Sequence, residues 1–170
     1  LWANQLHRTD IKPRAELLAE LGEALAARDK VTLLGQLGFE NAYALVMPRK
    51  RAEALGIRSI TDLAAHAGDM SIAGDYEFFS RPEWAGIRKA YGLDFRQQRQ
   101  MQPDFMYAAA ASGEVDVIAG YTSDGLIAKY DLVVLDDPKH AIPPYDAVVL
   151  LSPKRADDAK LRAALQPLLG

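Results

Sequence analysis

The feature that most constrains this chain is a regular alternation of short apolar, β-rich runs with longer amphipathic stretches, each punctuated by Gly or Pro. Thr9 or Asp10 can cap a first helix with Pro13 near its opening turn, and Leu17, Leu18, Leu21 and Leu25 repeat on one face through about Ala27. Residues 31–37 and 42–47 are short apolar runs bounded by Gly38 and Pro48, the pattern of strands. Ser59 and Asp62 have capping-box spacing, with Asp where Glu or Gln is usual, and open a short helix. Further along, residues 71–74, 95–101, 115–119, 132–135 and 145–151 read as strands. Helices are expected over 82–91, stopped at Gly92, over 103–112, ended by Gly113, from a cap at Ser123 or Asp124 to about Tyr130, and over 156–168. Such alternation predicts an α/β fold, a mostly parallel sheet with helices on its faces, in which ligands sit at the carboxyl ends of the strands.

Charge and composition narrow the function. Lys and Arg number 20 against 23 Asp and Glu, a formal charge of −3, which speaks against binding nucleic acid or another polyanion. There is no cysteine, so thiol catalysis, Cys-type zinc sites and disulfides are excluded. The longest unbroken aliphatic stretch, 147–151, is far below the roughly 20 residues that span a bilayer. The first residues lack an initiator Met and any signal-peptide pattern, and both ends read as cut, so the chain is expected to be a piece of something longer. His7, His66 and His140 are scattered without metal-ligand spacing, and no metal or cofactor is expected. No dinucleotide fingerprint, phosphate loop or serine-nucleophile elbow is present. Asp136-Asp137 before Pro138 reads as a solvated turn.

The tyrosines are more informative. Tyr43, Tyr121 and Tyr145 each lie at an expected strand boundary, where this architecture places ligands, whereas Tyr91 and Tyr130 sit in last turns of helices and read as packing. Tyr76 and Tyr107 fall between these cases. Several tyrosine rings around one cavity are what a quaternary ammonium requires, because it offers no hydrogen-bond donor and is held by ring faces at ~0.5–2 kcal/mol each. On that reading the hydroxyls are secondary and no acidic group is expected beside the rings. A zwitterionic ligand would also need a cationic fork for its carboxylate, and Arg81 is a candidate; the alternative is an ordinary pair with Glu77 or Glu83.

Six segments then combine in order: Phe39-Glu-Asn-Ala-Tyr-Ala-Leu45, Asp75-Tyr-Glu-Phe78 followed by Arg81, Met106-Tyr107, residues 113–118, Tyr121-Thr-Ser-Asp-Gly125 and Pro143-Pro-Tyr-Asp146. Together they resemble the glycine betaine/carnitine/choline-binding proteins of osmoprotectant ABC importers, including versions fused to the permease. The resemblance implies a two-lobed, three-layer periplasmic-binding-protein fold of type II, with residues 43–146 as the central ligand-binding lobe and 1–42 with 147–170 as portions of an incomplete other lobe. It implies a cage of Tyr43, Tyr121 and Tyr145, Arg81 on the ligand carboxylate, and backbone contact from Asn41. It also implies a permease partner and a periplasmic or otherwise extracytoplasmic location beside the inner membrane. Leu126 stands where the family's segment has Arg, and Thr122-Ser123 swaps its two hydroxyl residues. The competing class is the effector-binding domain of a transcription regulator, which can share the fold. An α/β enzyme is disfavoured because no nucleophile, base and orienter can be assembled.

Overall fold

The structure, a computed structural model, describes residues 6, 8 and 12–170. The cap expected at Thr9 or Asp10 therefore lies outside the described residues. Helix α1 (Arg14–Asp29) follows Pro13, buries Leu17, Leu21 and Leu25, and stops where Lys30 turns left-handed and its N–H returns to the Leu25 carbonyl.

The chain divides into two compact units, Leu1–Asn41 with Pro144–Gly170, and Ala42–Pro143. In the first, β1 (Thr32–Glu40) and β7 (Asp146–Leu151) form a two-stranded antiparallel sheet with Thr32 opposite Leu151 and Glu40 opposite Asp146. Arg14 bridges the Glu40 and Asp146 carboxylates at 2.9 and 3.2 Å. The closing helix α7 (Ala159–Leu165) starts three residues later than the sequence suggests, because Asp158 caps it by accepting the Leu161 N–H at 2.9 Å.

The second unit contains β2 (Tyr43–Pro48), α2 (Arg49–Leu55), α3 (Ile60–Ala64), β3 (Ser71–Gly74), α4 (Pro82–Tyr91), β4 (Gln97–Gln100), α5 (Pro103–Ser112), β5 (Val117–Tyr121), α6 (Leu126–Lys129) and β6 (Leu132–Val134). Its five-stranded sheet has the order β4-β3-β5-β2-β6. β3 pairs in parallel with β4 and β5, while β2 is antiparallel to both β5 and β6. Four strands thus share a direction, as expected of a mostly parallel sheet, and β2 alone is reversed. The physical reason is connectivity. β3, β4 and β5 are joined through helices, and such crossovers return the chain in the same direction. β2 is the segment by which the chain enters the unit, so no crossover sets its direction.

Local signals place these elements. Ser59 and Asp62 complete a reciprocal capping box at α3, and left-handed Gly92 and Gly113 end α4 and α5. Residues 43–47 of β2 are buried on both faces, as suits a strand covered from two sides. On one face α5 lays Met106, Tyr107, Ala109 and Ala110 against Ala44, Val46, Ala73 and Ile118. β4 is short, polar and mostly exposed.

One contact in this core bears directly on the edge of the sheet. Tyr107 is fully buried, burial pushes its hydroxyl up to about 12, and that oxygen accepts the Tyr121 N–H at 3.1 Å. The phenol fits because residue 120 is glycine: a Cβ there would lie 2.9 Å from the Tyr107 hydroxyl and 3.1 Å from a Val46 methyl. Gly120→Ala is therefore expected to destabilise the fold by ~1–3 kcal/mol through overpacking, read as a lowered chemical-denaturation midpoint with an unchanged slope.

Candidate functional site

The reversal of β2 decides which residues meet. In the β2–β5 ladder Tyr43, the first residue of its strand, stands directly opposite Tyr121, the last residue of its own. β5 shares its direction with β3, so the same edge carries Asp75, the residue after β3. The rings of Tyr43 and Tyr121 lie 5.0 Å apart at 31°, and Phe78 packs on Tyr43 at 5.1 Å.

Asp75 joins the two tyrosines. Its Oδ2 accepts the Tyr121 hydroxyl at 2.7 Å and the Tyr43 hydroxyl at 3.3 Å, and the Tyr121 hydroxyl also lies 3.4 Å from that of Tyr43. The other oxygen, Oδ1, accepts the backbone N–H groups of Glu77 at 2.9 Å and Phe78 at 2.8 Å, a local turn that aspartate favours. That turn needs Gly74, where a Cβ would sit 2.8 Å from the Phe78 ring. Asp75 is buried at 7% exposure. Burial by itself would raise its pKa, but the bonds from Tyr121, Glu77, Phe78 and Tyr43 outweigh it and hold the carboxyl below its usual value. Burial, followed by hydrogen bonding to each other and to Asp75, raises the Tyr121 hydroxyl well above its usual value; burial likewise raises Tyr43. The expectation that no acidic group adjoins the rings is thus corrected. Sequence separation concealed it, since 32 and 46 residues divide Asp75 from Tyr43 and Tyr121.

Arg81 belongs to the same cluster. Its guanidinium lies 5.6 Å from the centre of the Tyr43 ring and pairs with Glu77, whose side chain is 71% exposed. Phe78 packs in turn on Trp84 at 5.3 Å, so the turn after Asp75 is anchored in the apolar interior by α4. Tyr43, Tyr121 and Arg81 are therefore brought together. Tyr145 and Asn41 belong to the other unit, where the Asn41 N–H donates to the Tyr145 carbonyl at 3.2 Å.

Two further residues differ from their sequence reading. Asp137 is not merely a solvated turn residue. Its Oδ1 accepts the Tyr91 hydroxyl and its Oδ2 the Ile142 N–H at 2.8 Å, while the Tyr91 oxygen accepts the Lys139 N–H at 2.8 Å. Tyr91 at the end of α4 thus pins the loop after β6, a role that its place in a last helical turn did not reveal. Asp124, expected as a cap, accepts the Leu126 N–H at 2.9 Å.

The depressed carboxyl of Asp75 has a consequence for stability. A group whose folded pKa lies below its unfolded value of ~3.9 contributes stability above that pH and loses it as pH falls through the folded value. Asp75→Asn is expected to lower the melting temperature at neutral pH and to lose less further stability than the wild type between about pH 4 and pH 2. Thermal unfolding followed across that range checks it; equal acid sensitivity of the two proteins would contradict it.

Residues 3–169 match the family described as the substrate-binding domain of the ABC-type glycine betaine transport system. A glycine-betaine-binding protein of Pseudomonas aeruginosa is 39% identical over 121 residues, 64% of this chain and 39% of that protein. The ergothioneine transport permease/ergothioneine binding protein EgtU of Helicobacter pylori is 31% identical over 119 residues, 69% of this chain and 22% of its own length. A crystal structure of a glycine betaine/carnitine/choline ABC transporter superimposes with a TM-score of 0.82 at 29% identity, covering 98% of this chain and 62% of that one. The chain thus spans less than half of either curated relative. Its fold is that of the periplasmic binding proteins, and the chain belongs to the family of substrate-binding domains of ABC-type glycine betaine importers.

Proposed function

We propose that this domain captures a trimethylammonium solute against the Tyr43–Tyr121 wall, outside the cytoplasm, and delivers it to an ABC permease without chemical change. The observation that carries the reading is the cross-strand tyrosine pair at the carboxyl ends of β3 and β5, with a cation already lying over one ring. Ring faces attract a cation that offers no hydrogen-bond donor, whereas a carboxylate alone would favour an amine. The names of the relatives point the same way, since ergothioneine, glycine betaine, carnitine and choline all carry a trimethylammonium group. The family match gives no support to the effector-domain alternative.

Arg81 is proposed to take the carboxylate of a zwitterionic solute. Its present partner Glu77 is largely exposed, and an exposed pair is worth only ~0.2–1 kcal/mol. A charge-assisted bond to a ligand carboxylate contributes ~1.5–3 kcal/mol, so exchange of partners is favourable. Arg81 and Tyr43 would then act together, the guanidinium fixing one end of the solute and the rings the other.

Calorimetric titration of the natural full-length protein bearing these residues tests the reading. Heat is expected with glycine betaine, carnitine, choline or ergothioneine and none with a primary amine of similar size; equal binding of the amine would sink it. Tyr121→Ala is expected to weaken the quaternary ligand by at least ~0.5–2 kcal/mol. Arg81→Ala is expected to weaken glycine betaine roughly tenfold to a hundredfold, at ~1.4 kcal/mol per decade, and choline little. Equal loss for both ligands would mean that Arg81 serves the fold instead.

A further inference from the structure

The proposed function leaves Asp75 unassigned, although its carboxylate accepts from both tyrosine hydroxyls. We infer that Asp75 sets the cation selectivity of the Tyr43–Tyr121 wall, its carboxylate polarising both phenols from behind so that their faces favour a cationic ligand over a neutral one of the same shape. This inference rests on the function proposed above and deepens it.

Three observations carry it. First, Oδ2 accepts from both phenols at once, at 2.7 and 3.3 Å, so one charge acts on both rings. A phenol that donates to a carboxylate gains electron density, and hydrogen bonds in a buried chain polarise one another. The face of such a ring attracts a cation more strongly. Second, among the described residues Asp75 accepts from two phenols and from the N–H groups of Glu77 and Phe78, all neutral donors that hold the carboxylate in its buried place. The carboxyl's depressed pKa agrees with an anion that persists at neutral pH. Third, a cation already responds to this wall, since the Arg81 guanidinium lies over the Tyr43 ring even though Glu77 also pairs with it.

Asp75 is thus a positioning and polarising residue, and it needs no contact with the ligand. A purely structural role would change every ligand's affinity alike, whereas polarisation changes only that of cations. The test uses the natural full-length protein and one ligand pair, choline beside its neutral isostere with a tert-butyl group in place of trimethylammonium. Dissociation constants are measured for wild type and Asp75→Asn, which keeps the shape and an oxygen for the backbone N–H groups. The quaternary-to-isostere preference is expected to fall about tenfold in Asp75→Asn, with the isostere's own affinity little changed. A preference preserved within about twofold would overturn the inference, as would equal weakening of both members of the pair.

If Asp75→Asn alone fails to fold, the double variant Asp75→Asn/Tyr121→Phe removes the hydroxyl facing the new amide together with the charge, and the same fall in preference is expected. Failure of both variants to fold would overturn the inference, because the carboxylate would then be holding the turn. Absence of quaternary-ammonium binding in the wild type is a separate result: it would remove the proposed function itself, and this inference with it.

Discussion

The antiparallel pairing of β2 with β5 is the constraint on which the rest of this domain depends. It puts the first residue of one strand opposite the last residue of the other, and so brings Tyr43 and Tyr121 face to face at the edge where the parallel strands end. Had β2 run with its neighbours, Tyr43 would lie at the opposite edge, a strand's length away. Register matters as much as direction. A slip of one residue would turn every β2 side chain to the other face, exchanging the set that meets α5 for the set that does not. The core cluster of Ala44, Val46, Ala73 and Ile118 under Met106 and Tyr107 opposes that slip.

Around this ladder the cluster is held by short-range chemistry at each corner. Gly120 leaves room for the Tyr107 phenol, which fixes the Tyr121 backbone. Gly74 leaves room for Phe78, which packs on Tyr43 and on Trp84. Asp75 then ties the two tyrosine hydroxyls to the turn that follows β3. Each piece is an ordinary device. Their combination places two aromatic faces, an anion and a guanidinium together, although they come from three distant parts of the sequence.

Much of this was legible beforehand, and the exceptions have a common cause. Helix boundaries carried local signals that the structure reproduces, such as the Ser59–Asp62 capping box and the left-handed glycines at 92 and 113. Strand existence was legible from apolar runs, and two of the strand-end tyrosines, Tyr43 and Tyr121, meet at one edge of the sheet. Strand direction was not, because a short apolar run reads alike from either end and only the connections determine its course. The partnership of Asp75 with two phenols and that of Asp137 with Tyr91 were hidden for the same reason. Both bring together residues dozens of positions apart, and a single sequence records spacing along the chain, with no record of proximity across it.

The strand order has one more consequence. An open sheet of five strands exposes two edges, and each offers unpaired backbone groups to any other extended chain. Here one edge is β4, whose Gln-Gln-Arg-Gln sequence has no apolar side chain to bury against a newcomer and carries Arg99. The other edge is β6, only three residues long. The longer apolar strands β2 and β5 lie between them, with β3. The sheet therefore meets other chains with one polar margin and one apolar margin too short to template a long pairing, which guards against aggregation.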